Sequence, residues 1–164
     1  MGILSAQNLI LLRSALLLTI AFFCIKNVNS ILQNSFFLVL SQAMELPALS
    51  MSQYSGQLGM FSMLFFFAAL NDLVPLMEDN KTYFRSIVPV RLTVFFIIGA
   101  IAYLWTENLY FHNNAVFIYC FIEIWINFLL LNAVREERNE EFKREHRFMN
   151  DDLIEEPAPF EKAE

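Results

Sequence analysis

The 164 residues are 57% apolar and only 17% charged, against about 25% charged in soluble domains, and the mean hydropathy is +0.46. The six basic and eleven acidic residues from Arg135 to Glu164 carry most of the net charge of −6, so the acidity belongs to the tail. A chain without a basic stripe is a poor ligand for nucleic acid, which is held by clustered Lys and Arg displacing counterions. A soluble fold is excluded by the apolar content, and the fold class expected is an all-α integral membrane protein. It comprises a helical domain over residues 1–134 and a charged cytosolic segment over 135–164.

A helix needs about 20 mostly apolar residues to cross a hydrocarbon core about 30 Å thick. The first such run is Ile3 to Ile25, interrupted by Arg13. A secretory signal would have a shorter core and a small-residue cleavage site. Here Lys26-Asn27-Val28-Asn29 follows instead, and the run is expected to remain as an anchor. The stretch Asn27 to Tyr54 is harder to place, because Phe36 to Leu40 is too short to span and is flanked by Gln33, Asn34, Ser41 and Gln42. An interfacial or re-entrant helix is expected, with continuation of the first helix beyond the membrane as the alternative. The second, third and fourth spans are expected over Gly56 to Met77, Ile87 to Trp105 and Ala115 to Val134. Ser55 and Gly59 offer a small-x-x-x-small spacing that would permit close helix approach.

Four spans put the N-terminus, the loop with Lys81 and Arg85, and the tail with its Arg and Lys residues on one side, leaving Lys26 on the other. The positive-inside rule makes that side cytosolic, and Tyr103, Trp105, Tyr110 and Phe111 would then form a belt at the far interface. An Asn80-Lys81-Thr82 glycosylation sequon would face the cytosol, unused. Beyond Val134, Glu140 and Glu141 stand four and three residues before Arg144, spacings that pair on one helix face. Past Met149 the acidic, Pro-containing tail is expected to be unstructured.

The candidate functional residues are charges within the spans, which cost roughly 2.5–3.5 kcal/mol each on insertion scales. Arg13, Asp72, Arg91 and Glu123 are these positions. Counting from helix ends places Asp72 and Arg91 at similar depth on neighbouring antiparallel helices, and Arg13 and Glu123 at similar depth. Two interhelical salt bridges are expected, with Asn71, Asn127 and Asn132 as hydrogen-bonding glue. The functional alternative is a polar pocket for a lipid headgroup, an ion or a proton, and a third reading lets Arg13 and Arg91 snorkel to the interface. Cys24 and Cys120 lie in apolar runs and read as small buried hydrophobes. His112 and His146 have no ligand partner at helical spacing, and no nucleophile-elbow, zinc-protease or phosphate-loop motif is present. The expectation is therefore no enzyme and no cofactor.

The runs TIAFFCIKNVNSILQNSFFLVLSQAMELP, SQYSGQLGMF, VPVRLTVFFI, FHNNAVFIYCFIEIWINFLLLNAVREERNEEFKRE and EEPAPF resemble the increased-loss-of-mitochondrial-DNA protein family of budding yeasts. The resemblance covers nearly the whole chain. It implies a multi-pass protein of the endoplasmic reticulum and a name that reports a phenotype, with no catalytic or ligand residues to carry over. The function expected is a non-enzymatic membrane subunit or adaptor, needed indirectly for mitochondrial DNA maintenance. The alternative is a lipid-binding or lipid-transfer component with an intramembrane headgroup pocket. The partners expected are membrane lipids and a membrane protein, a lipid-transfer protein among the candidates.

Overall fold

The computed structural model describes residues 5–52, 55–108 and 110–154, with side chains as far as Arg147. It is all-helical among these residues: α1 (Ala6–Lys26), α2 (Asn29–Leu32), α3 (Ser35–Ala43), α4 (Gly56–Met77), α5 (Lys81–Leu104) and α6 (Asn114–Ile154). Four of them, α1, α4, α5 and α6, are long and apolar enough to cross a membrane. The predicted second span matches α4. The third begins six residues earlier than expected because Asn80 caps it, its Oδ1 accepting the Tyr83 N–H at 3.0 Å, and satisfying a donor that the first helical turn leaves free.

The turn between α4 and α5 is built by three residues. Asn80 N–H reaches back to the Pro75 carbonyl at 2.9 Å and Asp79 N–H to that of Leu76 at 3.2 Å, with Asp79 at φ 50°. This is the paired closure that ends helices through a left-handed residue, a conformation aspartate tolerates better than most. The same device closes α3, where Leu46 N–H meets the Ser41 carbonyl at 3.0 Å and Glu45 has φ 54°.

The helices form two antiparallel pairs, α1 along α4 and α5 along α6, joined mainly where α1 meets α6. The buried stripe of α4 is Leu58, Ser62, Ala69 and Asp72, a narrow seam against α1, and most of its other surface is exposed hydrophobe such as Met60, Leu64 and Phe67. Small residues permit the approach: Ser62 Oγ donates to the Ala21 carbonyl at 2.8 Å. On α5, a Cβ added at Gly99 would stand 3.5 Å from Cys120 Cβ. The predicted small-residue contact at Ser55 and Gly59 is not where helices meet, since nothing lies within 4 Å of a Cβ placed on Gly59. Cys24 and Cys120 are both buried free thiols.

Between α1 and α4 the chain makes two short helices, α2 and α3, and not a continuation of α1. The loop after them is pinned by two asparagines. Asn29 Nδ2 donates to the Met51 carbonyl at 2.9 Å, and Asn114, fully buried, accepts the Leu49 N–H at 2.9 Å and donates its own N–H to the Pro47 carbonyl at 3.1 Å. Gln53, Tyr54 and Leu109 lie outside the described residues, as do Met1–Leu4 and Glu155–Glu164. Helix α6 runs unbroken from the bundle to Ile154, five residues past Met149, where the sequence suggested that order ends. Trp105, Tyr103, Tyr110 and Phe111 are all exposed near the end opposite the α4–α5 turn.

Candidate functional site

Each of the four long helices contributes one charged residue to the centre of the bundle. Arg13 stands on the face of α1 that meets both α4 and α6. Its guanidinium grips Glu123 with two parallel bonds, Nε to Oε2 at 2.8 Å and Nη2 to Oε1 at 3.0 Å, the bidentate geometry that a planar fork and a carboxylate share. Its remaining nitrogen, Nη1, bonds Asp72 Oδ2. The other oxygen of Asp72 receives Arg91 Nη2 at 2.5 Å. Sequence reasoning expected two separate pairs. The structure places both contacts and joins them through Arg13 and Asp72, giving one chain of alternating sign, Glu123–Arg13–Asp72–Arg91, with formal charge balanced. The link was missed because depth along a helix can be counted from sequence, whereas the rotation that aims one arginine at two helices cannot.

Burial is nearly complete: Glu123 is 0%, Asp72 1% and Arg13 3% exposed. Snorkelling of Arg13 is therefore not what the geometry supports, and only Arg91, with 13% of its side chain exposed, approaches the surface. Glu123 is further held by the Tyr119 hydroxyl donating at 2.9 Å and by Asn127 Nδ2, which donates to Oε2 at 2.9 Å and to the Glu123 carbonyl at 2.8 Å. Tyr119 was not singled out from sequence, although its position four residues before Glu123 places it on the same helix face. Its ring is fixed edge-on between Phe65, centroids 5.4 Å apart, and Phe95, 5.7 Å apart. The network therefore has an aromatic collar toward the end opposite the α4–α5 turn.

The other amides expected to act as glue stand apart from this network. Asn71 is exposed and does link two spans, its Nδ2 on α4 donating to the Tyr83 hydroxyl on α5 at 3.0 Å, and Asn132 is exposed. Among the polar atoms around the network, Ser14 Oγ, Arg91 Nη1 and Asn127 Oδ1 are buried without a protein partner.

A second ionic cluster closes the end of the bundle that carries the α4–α5 turn. Glu141 on α6 receives Lys81 Nζ at 2.8 Å and also Arg85 Nη2, instead of the expected Arg144, while Glu140 stands 3.7 Å from Arg144. One turn earlier on α6, Glu137 Oε1 accepts the Ala6 N–H at 3.0 Å. This satisfies a free donor at the positive end of α1. Beneath these charges lies a cavity of about 290 Å³ with Ile10, Leu76, Phe84 and Val134 as its apolar floor. His112 Nδ1 lies 2.9 Å from the Ala102 carbonyl oxygen, and His146 packs against Phe142 with centroids 4.1 Å apart.

The family described as "Increased loss of mitochondrial DNA protein 1" matches residues 4–144, a stretch containing every charge of both clusters. "Protein ILM1" of Saccharomyces cerevisiae is 63% identical over 158 residues, covering 96% of this chain and 78% of that protein. No solved structure matches. The chain belongs to the increased-loss-of-mitochondrial-DNA protein 1 family.

Proposed function

We propose that this chain is a non-enzymatic subunit or adaptor of the endoplasmic reticulum membrane, crossing it four times with both termini in the cytosol. Its connection to mitochondrial DNA, which gives the family its description, is then indirect, through membrane or lipid supply between organelles. The observation that carries this reading is the closed charge network. Arg13 spends all its polar nitrogens on Glu123 and Asp72, and these three residues are at least 97% buried. Such groups staple helices together. A headgroup site would instead leave them open to lipid.

Topology is tested in sealed microsomes: a protease should remove a tag fused to the C-terminus, and Asn80 should carry no glycan. Protection of the tag or glycosylation of Asn80 would overturn the orientation. The role is tested by purification in mild detergent with quantitative mass spectrometry of co-purifying proteins and lipids. A membrane protein retained at fixed stoichiometry is the expected result, and chemical turnover of a lipid by the pure chain would exclude it.

A second reading, binding of a lipid headgroup, draws on the cavity at the end with the α4–α5 turn. Its apolar floor and its rim of Lys81, Arg85, Glu137 and Glu140 suit an amphipathic molecule better than the closed network does. A phospholipid recovered at one per chain, without a protein partner, would favour it.

A further inference from the structure

Helices α5 and α6 carry facing stripes toward the end of the bundle opposite the α4–α5 turn. On α5 the stripe runs large, small, large: Phe96, then Gly99 and Ala100, then Tyr103. On α6 it is Phe117, Phe121 and Ile124. The small residues leave a hollow between their large neighbours. Together with Met44, which caps the end of α3, these residues line a cavity of about 260 Å³. Its length along α5 is about 10 Å, the rise from Phe96 to Tyr103 at 1.5 Å per residue.

The chemistry of this slot is narrow. No lining residue is charged, so it offers nothing to a headgroup, and apolar hollows of this kind stay free of water. Its walls are flat. The Phe117 and Phe121 rings lie nearly parallel, 18° apart with centroids at 6.5 Å, and Gly99 and Ala100 add no more than one methyl group to the floor. Phe96, Tyr103 and Phe121 remain exposed on one side, so the slot opens laterally, toward lipid in a chain that crosses a membrane. The only hydroxyl among the lining residues belongs to Tyr103, in the last turn of α5.

We propose that this slot holds the fused-ring body of a sterol, with its rings against Phe117 and Phe121 and its hydroxyl near Tyr103. A rigid planar body has little conformational freedom to lose on binding, whereas an acyl chain must have its torsions fixed one by one. The lining also matches a lipid with one hydroxyl and no charge, and tyrosine stands well at the membrane interface, where that hydroxyl lies. Met44 closes the remaining side. No charged residue occurs from Asn27 to Met44, and α3 exposes Phe36, Leu38 and Val39, so this segment can lie in hydrocarbon beside the ligand. The inference needs only that the chain crosses a membrane, and it is separate from the headgroup cavity at the other end.

The probe is a sterol carrying a diazirine on its ring system, incorporated with the full chain into phosphatidylcholine vesicles. After illumination, mass spectrometry maps the adducts. They should concentrate on Met44, Phe96 and the stretch from Phe117 to Ile124, and excess unlabelled sterol should remove them. Ala100→Phe fills the hollow from an exposed position and should reduce labelling at least about tenfold. Tyr103→Phe should reduce it about three- to tenfold, the loss of one hydrogen bond. Phe128→Ala, exposed on α6 outside the slot, should change nothing. Circular dichroism checks that Ala100→Phe keeps its helices, and Phe121→Ala, which removes a wall, should weaken labelling by the opposite route. Adducts spread evenly over the exposed faces of α4 and α5, or labelling indifferent to Ala100→Phe or to Tyr103→Phe, would overturn the proposal. Equal displacement by oleic acid would do so by assigning the slot to an acyl chain, and disulfide trapping of two Ala100→Cys chains by assigning it to self-association. None of these results bears on partner retention, which tests the adaptor reading by itself.

Discussion

The two ionic clusters both set basic side chains against a carboxylate at similar distances and are not equivalent. Arg13 bonds Glu123 at 2.8 Å, and Lys81 bonds Glu141 at the same distance. In the first cluster the partners are 4% and 0% exposed. In the second they are 50% and 36% exposed. Water can take over the second pair when it opens, and salt screens it, so exposed pairs contribute little. The first pair is buried away from the surface, and losing one partner strands the other there. Geometry alone does not rank ion pairs; the medium behind them does.

Arg13 is the hub, so Arg13→Ala tests this contrast most severely. Two carboxylates lose a counterion, and the loss of stability should reach the upper end of the roughly 3–5 kcal/mol typical for breaking a buried pair. Thermal unfolding in detergent should show the chain melting far below the parent, and cells should hold much less of it. Asp72→Ala comes next, because it leaves Arg91 without its acid and takes one bond from Arg13. The double change Asp72→Ala with Arg91→Ala should recover part of that loss, since Arg91 is no longer stranded. Strict additivity in the double-mutant cycle would mean that the Asp72–Arg91 contact contributes nothing.

Glu123→Gln keeps the shape and one acceptor but leaves Arg13 short of charge. It should cost somewhat less than Asp72→Ala, and protein abundance should fall. Abundance that holds while partner recovery changes would assign Glu123 to recognition instead. Tyr119→Phe removes a single bond to a carboxylate, about 1.5–3 kcal/mol for a charged acceptor, and keeps the ring contacts with Phe65 and Phe95. The smallest effect belongs to Glu141→Gln, which should leave the melting temperature unchanged within error at physiological salt. If Glu141→Gln proved as damaging as Glu123→Gln, the comparison between the clusters would fail.

The spans were legible in the sequence because crossing hydrocarbon demands a long apolar helix, a requirement that needs no knowledge of neighbours. The charged positions stood out for the same reason, since each is costly where it stands. Depth matching brought Asp72 near Arg91 and Arg13 near Glu123. Asn71 does bond across to α5, through Tyr83 and outside the charge network, while Asn132 is exposed, because the side of a helix that faces its neighbours depends on helix rotation. Tyr119 was available through its spacing to Glu123 but gave no signal of its own among the aromatic residues of that span.

Sequence alone thus determined which segments are helical and apolar enough to cross a membrane, and which residues must find partners there. These follow from local composition and the solvation cost of charge. Tertiary structure decided that α1 stands between α4 and α6, which makes Arg13 a bridge instead of half a pair. It also decided that Glu141 serves Lys81 and Arg85, not Arg144 on its own helix. Both outcomes arise from how helices are rotated against one another, a property set by side-chain packing between segments distant in the chain.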